Sequence, residues 1–106
     1  MDVSEFEKEV DLVLTAQRRV LLEKNKKYGD AALSDVGVFS FGRSPLDRLR
    51  VRIDDKLARV RAAAVNNAQD DEDTLLDLMN YLVLYRIALR LEKKREDSVN
   101  PLLNLK

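Results

Sequence analysis

An all-α chain is what this sequence predicts, and three observations carry that prediction. The 106 residues are 45% hydrophobic, with only 3 Gly and 2 Pro to interrupt regular structure, and they are rich in Leu, Ala, Arg, Lys and Glu, residues that favour helix. Apolar side chains recur at steps of three and four over three long stretches, the spacing of an amphipathic helix. Helix punctuation falls between those stretches, at Tyr28-Gly29-Asp30, Ser44-Pro45, Asn66-Asn67 and Asn100-Pro101. The expected architecture is one small domain of three main helices with a long ordered loop between the first two.

The first helix is expected over about 4–27. Ser4 is its cap, with Glu7 in capping-box spacing, and Phe6, Val10, Val13, Leu14, Ala16, Val20 and Leu21 form its core face. Gly29, after a basic last turn, suits a left-handed helix end. The connection over 29–45 is too apolar for a linker, since it carries Leu33, Val36, Val38, Phe39 and Phe41, and reads as an ordered loop folded over the bundle. Ser44 as cap and Pro45 at the first helical position start the second helix, expected over about 45–66, with Leu46, Leu49, Ile53, Leu57, Val60 and Ala64 inward. The third helix is expected over about 72–94, with Glu72 and Asp73 in its first turn as the helix dipole prefers. An apolar tail over 98–106 carries Leu102, Leu103 and Leu105. The third helix is apolar around much of its circumference, which reads either as a central bundle helix or as more apolar surface than three helices cover alone, so that the bundle is completed by self-association into a homo-oligomer.

Nineteen basic and nineteen acidic residues cancel, which argues against general nucleic-acid binding or membrane-surface attraction. No stretch is long enough to span a bilayer and the N-terminus is acidic, so no membrane is expected and the location is read as cytoplasmic. There is no Cys and no His, which removes disulfides, thiolate chemistry, imidazole bases and imidazole-held zinc or iron. A bound metal must then be oxygen-ligated, and Mg²⁺, Mn²⁺ or Ca²⁺ is the plausible ion.

Four constellations stand out. Asp73, Asp77 and Asn80 fall within an arc of roughly 60° at ~100° per residue, on a stripe that Leu84 continues and that borders an apolar face. Asp73 suits the first turn of a helix on capping grounds alone, but Asp77, set among Leu75, Leu76, Leu78 and Met79, has little capping value and points to a site. On the second helix Arg52, Asp55, Lys56 and Arg59 share a face by spacing, either as solvated salt bridges or as a ligand with phosphate-binding cations. At the close of the first helix Glu23 and Lys27 stand one turn apart, and Tyr28 is placed to stack on a base or bond a phosphate, while an ordinary helix end also accounts for them. The loop Val38-Phe39-Ser40-Phe41-Gly42-Arg43 reads as a stacking wall with an Arg, or as a plug for the end of the bundle.

In order and spacing, Tyr28-Gly29-Asp30, Asp55-Lys56-Leu57-Ala58-Arg59, and Asp73-Thr74-Leu75-Leu76-Asp77 with Asn80-Tyr81 resemble the nucleotide modification associated domain 1 family over about residues 20 to 90. These small all-α proteins of phages and bacteria are themselves similar in layout to MazG-like nucleoside triphosphate pyrophosphohydrolases. The resemblance implies Mg²⁺ held by acids of two facing helices, with an activated water attacking between phosphates. Asp73 and Asp77 match the acidic pair of the later helix, and Asp54 or Asp55 the acids of the earlier one. Where those enzymes carry three glutamates this chain has Asp54 and Asp55, with Ala58 and Arg59 where a further acid is expected, and Glu23 is the candidate replacement.

The leading expectation is therefore a phage or bacterial nucleotide-binding protein acting as a Mg²⁺-dependent (or Mn²⁺-dependent) nucleotide pyrophosphohydrolase, placed in the host cytoplasm if phage-encoded. Asp55, Asp73 and Asp77 would hold metal, Glu23 would be a further ligand or base, Lys27, Lys56 and Arg59 would clamp phosphate, and Asn80 and Tyr28 would orient the nucleotide. Two alternatives stand beside it: a non-catalytic protein that sequesters a nucleotide or nucleotide signal, and an oligomeric helical adaptor.

Overall fold

The computed structural model describes residues 1–28, 44–69 and 71–99, apart from the side chains of Lys27, Tyr28 and Val99. The expected apolar loop up to Arg43, the Gly29 helix end and the leucines of the tail lie outside the described residues. Among the described residues there are three α-helices and no strand, the all-α class the composition dictates: α1 (Val3–Tyr28), α2 (Pro45–Val65) and α3 (Glu72–Val99). They fall into two compact units, one built by α1 and the other by α2 and α3.

Asp2, rather than Ser4, caps α1. The Glu5 N–H donates to Asp2 Oδ1 at 2.8 Å and the Phe6 N–H to the Asp2 carbonyl at 3.0 Å. A carboxylate satisfies the first-turn donors and also meets the positive end of the helix dipole, so it outcompetes the neutral hydroxyl two residues on. Of the expected inner face, Val10, Val20 and Leu21 are half-buried, whereas Phe6, Val13 and Leu14 remain more than half exposed.

The start of α2 is the one its sequence specifies. Ser44, in extended geometry at φ −70° and ψ 159°, accepts from the Asp47 N–H at 3.2 Å, and Pro45 occupies the first turn where no amide partner is needed. At the other end Asn67 takes the left-handed conformation, φ 54°. The Ala68 N–H then reaches back to the Ala63 carbonyl at 2.8 Å and the Asn67 N–H to Ala64 at 3.3 Å. That pair of bonds is a Schellman closure, made by the residue type other than Gly that best tolerates positive φ.

Asp71 caps α3. Its carboxylate accepts from the Asp73 N–H at 3.2 Å and from Thr74 Oγ1 at 3.3 Å, and its carbonyl from the Leu75 N–H at 3.1 Å. α3 then runs to Val99, past the expected end at 94, because Arg95-Glu96-Asp97-Ser98 contains no Gly or Pro to break it.

The turn at Asn66-Asn67 sends α3 back along α2. Lys56 meets Asp77, Arg50 meets Tyr85, and Leu46 shares a cleft with Ala88 and Leu91, so the pair is antiparallel and in register from the turn to the open end. The seam on α2 is Leu46, Leu49, Ile53, Lys56, Val60 and Ala63, all buried or half-buried. Leu57 and Ala64, expected inside, are exposed: strict alternation of three and four from Leu46 reaches Lys56 and Ala63 instead, as a coiled-coil-like pair requires. Opposite lie Thr74, Asp77, Tyr81, Leu84 and Ala88, again buried or half-buried. From Arg86 onward Ala88 alone on α3 is buried among the described side chains, and an open cleft of about 250 Å³ lies at that end, walled by Pro45, Leu46, Leu91, Glu92 and Arg95. No described helix is long and apolar enough to cross a membrane.

Leu49, only 2% exposed, is the most buried side chain of the hairpin, and Leu49→Ala should cost about 2–5 kcal/mol in urea unfolding followed by circular dichroism. Asp71→Ala should cost about 1 kcal/mol in the same assay; a loss at Leu49 no larger than that at Asp71 would mean the seam is not the core.

Candidate site at the polar end of the hairpin

An ion pair crosses the seam. Lys56 Nζ lies 3.3 Å from Asp77 Oδ2, and the two side chains are only 12% and 27% exposed. Helical spacing alone puts Lys56 on a charged face with Arg52, Asp55 and Arg59, but the structure splits that face. Lys56 takes the seam position between Ile53 and Val60, where its methylene stem replaces apolar volume, while Arg52, Asp55 and Arg59 are exposed. Arg59 pairs with Asp55 on the outside at 3.6 Å with both side chains more than half exposed, a contact that contributes little.

On α3 the expected stripe holds from its second member onward. Asp77 is half-buried, Asn80 is 4% exposed and Leu84 follows them inward. Asp73 does not join them: it is exposed and its N–H serves the Asp71 cap. The inward position of that first turn belongs to Thr74, 6% exposed and held by Asp71. Thr74 and Asp77 thus make the turn end of the α3 seam polar, with Asn80 buried beside it, and Leu84 and Ala88 make the other half apolar. Residues 74–81 are buried or half-buried on every side of the helix, a sheltered setting in which each polar group carries a desolvation cost.

Glu23 is exposed on α1, and the side chains of Lys27 and Tyr28 lie outside the described residues. Among the described residues no group of three or more acids gathers to form a metal cage. At the seam one carboxylate, Asp77, lies beside the Lys56 ammonium, with the Asn80 amide one turn on.

Sequence reasoning misses Arg50. Its Nε donates to the Tyr85 hydroxyl at 3.0 Å and its Nη1 to Asp47 Oδ1 at 3.2 Å, with the guanidinium carbon 5.6 Å from the Tyr85 ring centre. These partners, the Tyr85 hydroxyl first, raise its pKa above the usual arginine value. No local signal marks the contact, because the partners are 35 residues apart in sequence. Arg48 Nη2 is buried and has no hydrogen-bond partner among the described residues, and Gln17 is a buried polar side chain of α1; neither departs from ordinary helix composition in a way a sequence displays.

A sheltered ion pair is costly to break and cheap to replace whole. Lys56→Met should therefore destabilise the protein by about 1–2 kcal/mol, discounted for partial exposure, whereas Lys56→Met with Asp77→Leu should recover most of that loss; additive losses in the double-mutant cycle would show the two charges to be uncoupled. Family models, curated proteins and solved structures all give no match to this chain.

Proposed function

We propose that this chain is a nucleotide-handling protein of phage or bacterial nucleotide metabolism or base modification, which recognises the phosphates of a nucleotide at the polar end of the α2–α3 hairpin. The observation that carries the reading is the Lys56–Asp77 contact. It joins two of the three distinctive words of the chain, Asp55-Lys56-Leu57-Ala58-Arg59 and Asp73-Thr74-Leu75-Leu76-Asp77, at a sheltered place one turn from Asn80.

Lys56 binds a phosphate oxygen as a point charge. Asp77 takes the divalent cation that travels with the phosphates, and Asn80, one turn along, orients the ligand. Such a cation polarises the phosphoryl oxygens and lowers the pKa of its water, the chemistry of a pyrophosphohydrolase. Pyrophosphohydrolysis is the leading activity. The specific observation favouring a non-catalytic sequestering protein is that Asp55 pairs outward with Arg59, away from the seam.

The reading includes a homo-oligomer. Val3, Phe6, Val10 and Val13 form a line at alternating steps of three and four on the first half of α1, the spacing of a coiled-coil seam, and Val3, Phe6 and Val13 on it are exposed. A second copy of this chain is the occupant.

Incubation with canonical and modified nucleoside triphosphates and cyclic dinucleotides in Mg²⁺ or Mn²⁺, read by thermal shift and product chromatography, tests the chemistry. Metal-dependent release of pyrophosphate and monophosphate, lost in Asp77→Asn, is the expected result. Stabilisation with ligand recovered intact makes the protein a binder, and no response to any ligand transfers the reading to the adaptor. Light scattering after size exclusion should give a mass above the 12.2 kDa of one chain.

A further inference from the structure

Two surfaces of this chain keep apolar side chains in water, and their charges are opposite in sign. The first is the front half of α1. Val3, Phe6 and Val13 of its apolar line are exposed, and around that line Asp2, Glu5, Glu7, Glu9 and Asp11 stand against Lys8 alone. Two such half-helices laid on each other would set acids against acids, so charge disfavours the same half-helix of a second copy as its cover.

The second surface is a flank of the α2–α3 hairpin. The hydrogen bond from Arg50 to Tyr85 marks that flank. Seven residues, two turns of helix, carry the same side from Arg50 to Leu57 and from Tyr85 back to Leu78, and the adjoining Lys56–Asp77 contact keeps the same register. Packed helices leave a groove along each flank, and here Leu82 and Leu89 edge it from α3. Leu57, Leu82 and Leu89 are 49%, 44% and 44% exposed, while Leu78 and Tyr85 are half-buried. Leu78, Leu82, Tyr85 and Leu89 advance by four, three and four residues, the same alternation as the α1 line. By helical spacing Arg50, Arg61, Arg86 and Lys93 lie on this side with Asp47 and Asp54, and Asp47 is paired with Arg50, so cations prevail.

From this complementarity we infer that the front half of α1 of one copy lies in the Leu57–Leu89 groove of a second copy, and the reverse, in a closed two-fold pair. The inference rests on the homo-oligomer of the reading above and names its two contacting surfaces. Each surface offers what the other lacks: the same apolar period, with an acidic border on one and a mainly basic border on the other. Reciprocal exchange uses both surfaces of both chains once, whereas a one-way contact would leave one of each open and propagate.

The test reverses charge on either surface of the whole chain and reads mass by light scattering after size exclusion, with circular dichroism to confirm folding. Glu7→Lys with Glu9→Lys changes the residues that flank the α1 line on its two sides, and Arg61→Glu with Arg86→Glu changes the groove border; all four positions are exposed. Wild type should have twice the 12.2 kDa of one chain. Each double variant alone should dissociate about 10-fold more readily, since every altered border contact occurs twice in the pair. An equal mixture of the two double variants should recover the pair, because reversed α1 then meets reversed groove while native α1 meets native groove. Arg52→Glu, on the other flank of α2 by helical spacing, should leave the mass unchanged. An oligomer indifferent to Arg61→Glu with Arg86→Glu overturns the groove and leaves the homo-oligomer standing. Weakening in both double variants with no recovery on mixing overturns the pairing of these two surfaces. A wild-type mass of one chain removes the inference and the homo-oligomer together, and none of these results bears on nucleotide binding.

Discussion

Charge neutralisation inside a helix seam is the constraint on which the rest of this structure depends. An antiparallel helix pair with apolar residues at every inward position slides by a turn at small cost, because one Leu–Ile contact resembles another. Lys56 and Asp77 remove that freedom. A shift of one helical turn, about 5.4 Å, would part the sheltered ammonium from the sheltered carboxylate that it meets at 3.3 Å. The pair therefore fixes the register that also brings Arg50 to Tyr85 and Leu46 to Ala88 and Leu91. The turn assists, since the Schellman closure at Asn67 sets where α2 stops and the Asp71 cap sets where α3 starts, only a few residues later.

Local rules make much of this fold legible in the sequence. Three helices follow from composition and period, and Ser44-Pro45 and Asn66-Asn67 read correctly as start and stop because capping and left-handed tolerance are properties of single residues. Phase is what local rules leave undecided. Leu57 reads as a core residue and Lys56 as a surface one, since the hydrophobic pattern of α2 permits either choice after Ile53. The decision is made by Asp77 on the next helix, which renders an inward lysine tolerable. The same limit applies at the caps: Asp2 and Ser4, or Asp71 and Asp73, are equivalent to a residue-type rule, and they are separated only by the backbone path that approaches each helix.

The candidate site divides along the same line. Asp77 and Asn80 are legible as polar residues on a sheltered stripe, because that inference needs only the helical period and the apolar neighbours. Lys56 is legible as a candidate but in the wrong company, grouped with Arg52, Asp55 and Arg59, which the structure turns outward. Thr74 gives no signal, because a threonine in a first turn is unexceptional until its burial and its bond to Asp71 are seen. Asp73 is the reverse case, a residue whose type suits a metal but whose place in the first turn leaves it in solvent.

The distribution of polarity along the seam bears on why the pair is there at all. Thr74, Lys56, Asp77 and Asn80 gather at the turn end, while Leu49, Leu84 and Ala88 fill the open end. Stability alone does not favour this arrangement, because well-packed apolar residues of similar volume commonly equal or exceed a sheltered ion pair. Register alone does not require it either, since one polar contact suffices to fix a seam, and here a buried amide and a buried hydroxyl accompany the charges. The excess of polarity over what folding needs is concentrated in the early turns of α3, where every residue from 74 to 81 is withdrawn from solvent. Groups sheltered in this way carry a desolvation cost that hydrogen bonds and opposite charges offset, and the Lys56–Asp77 contact across the seam is one such offset.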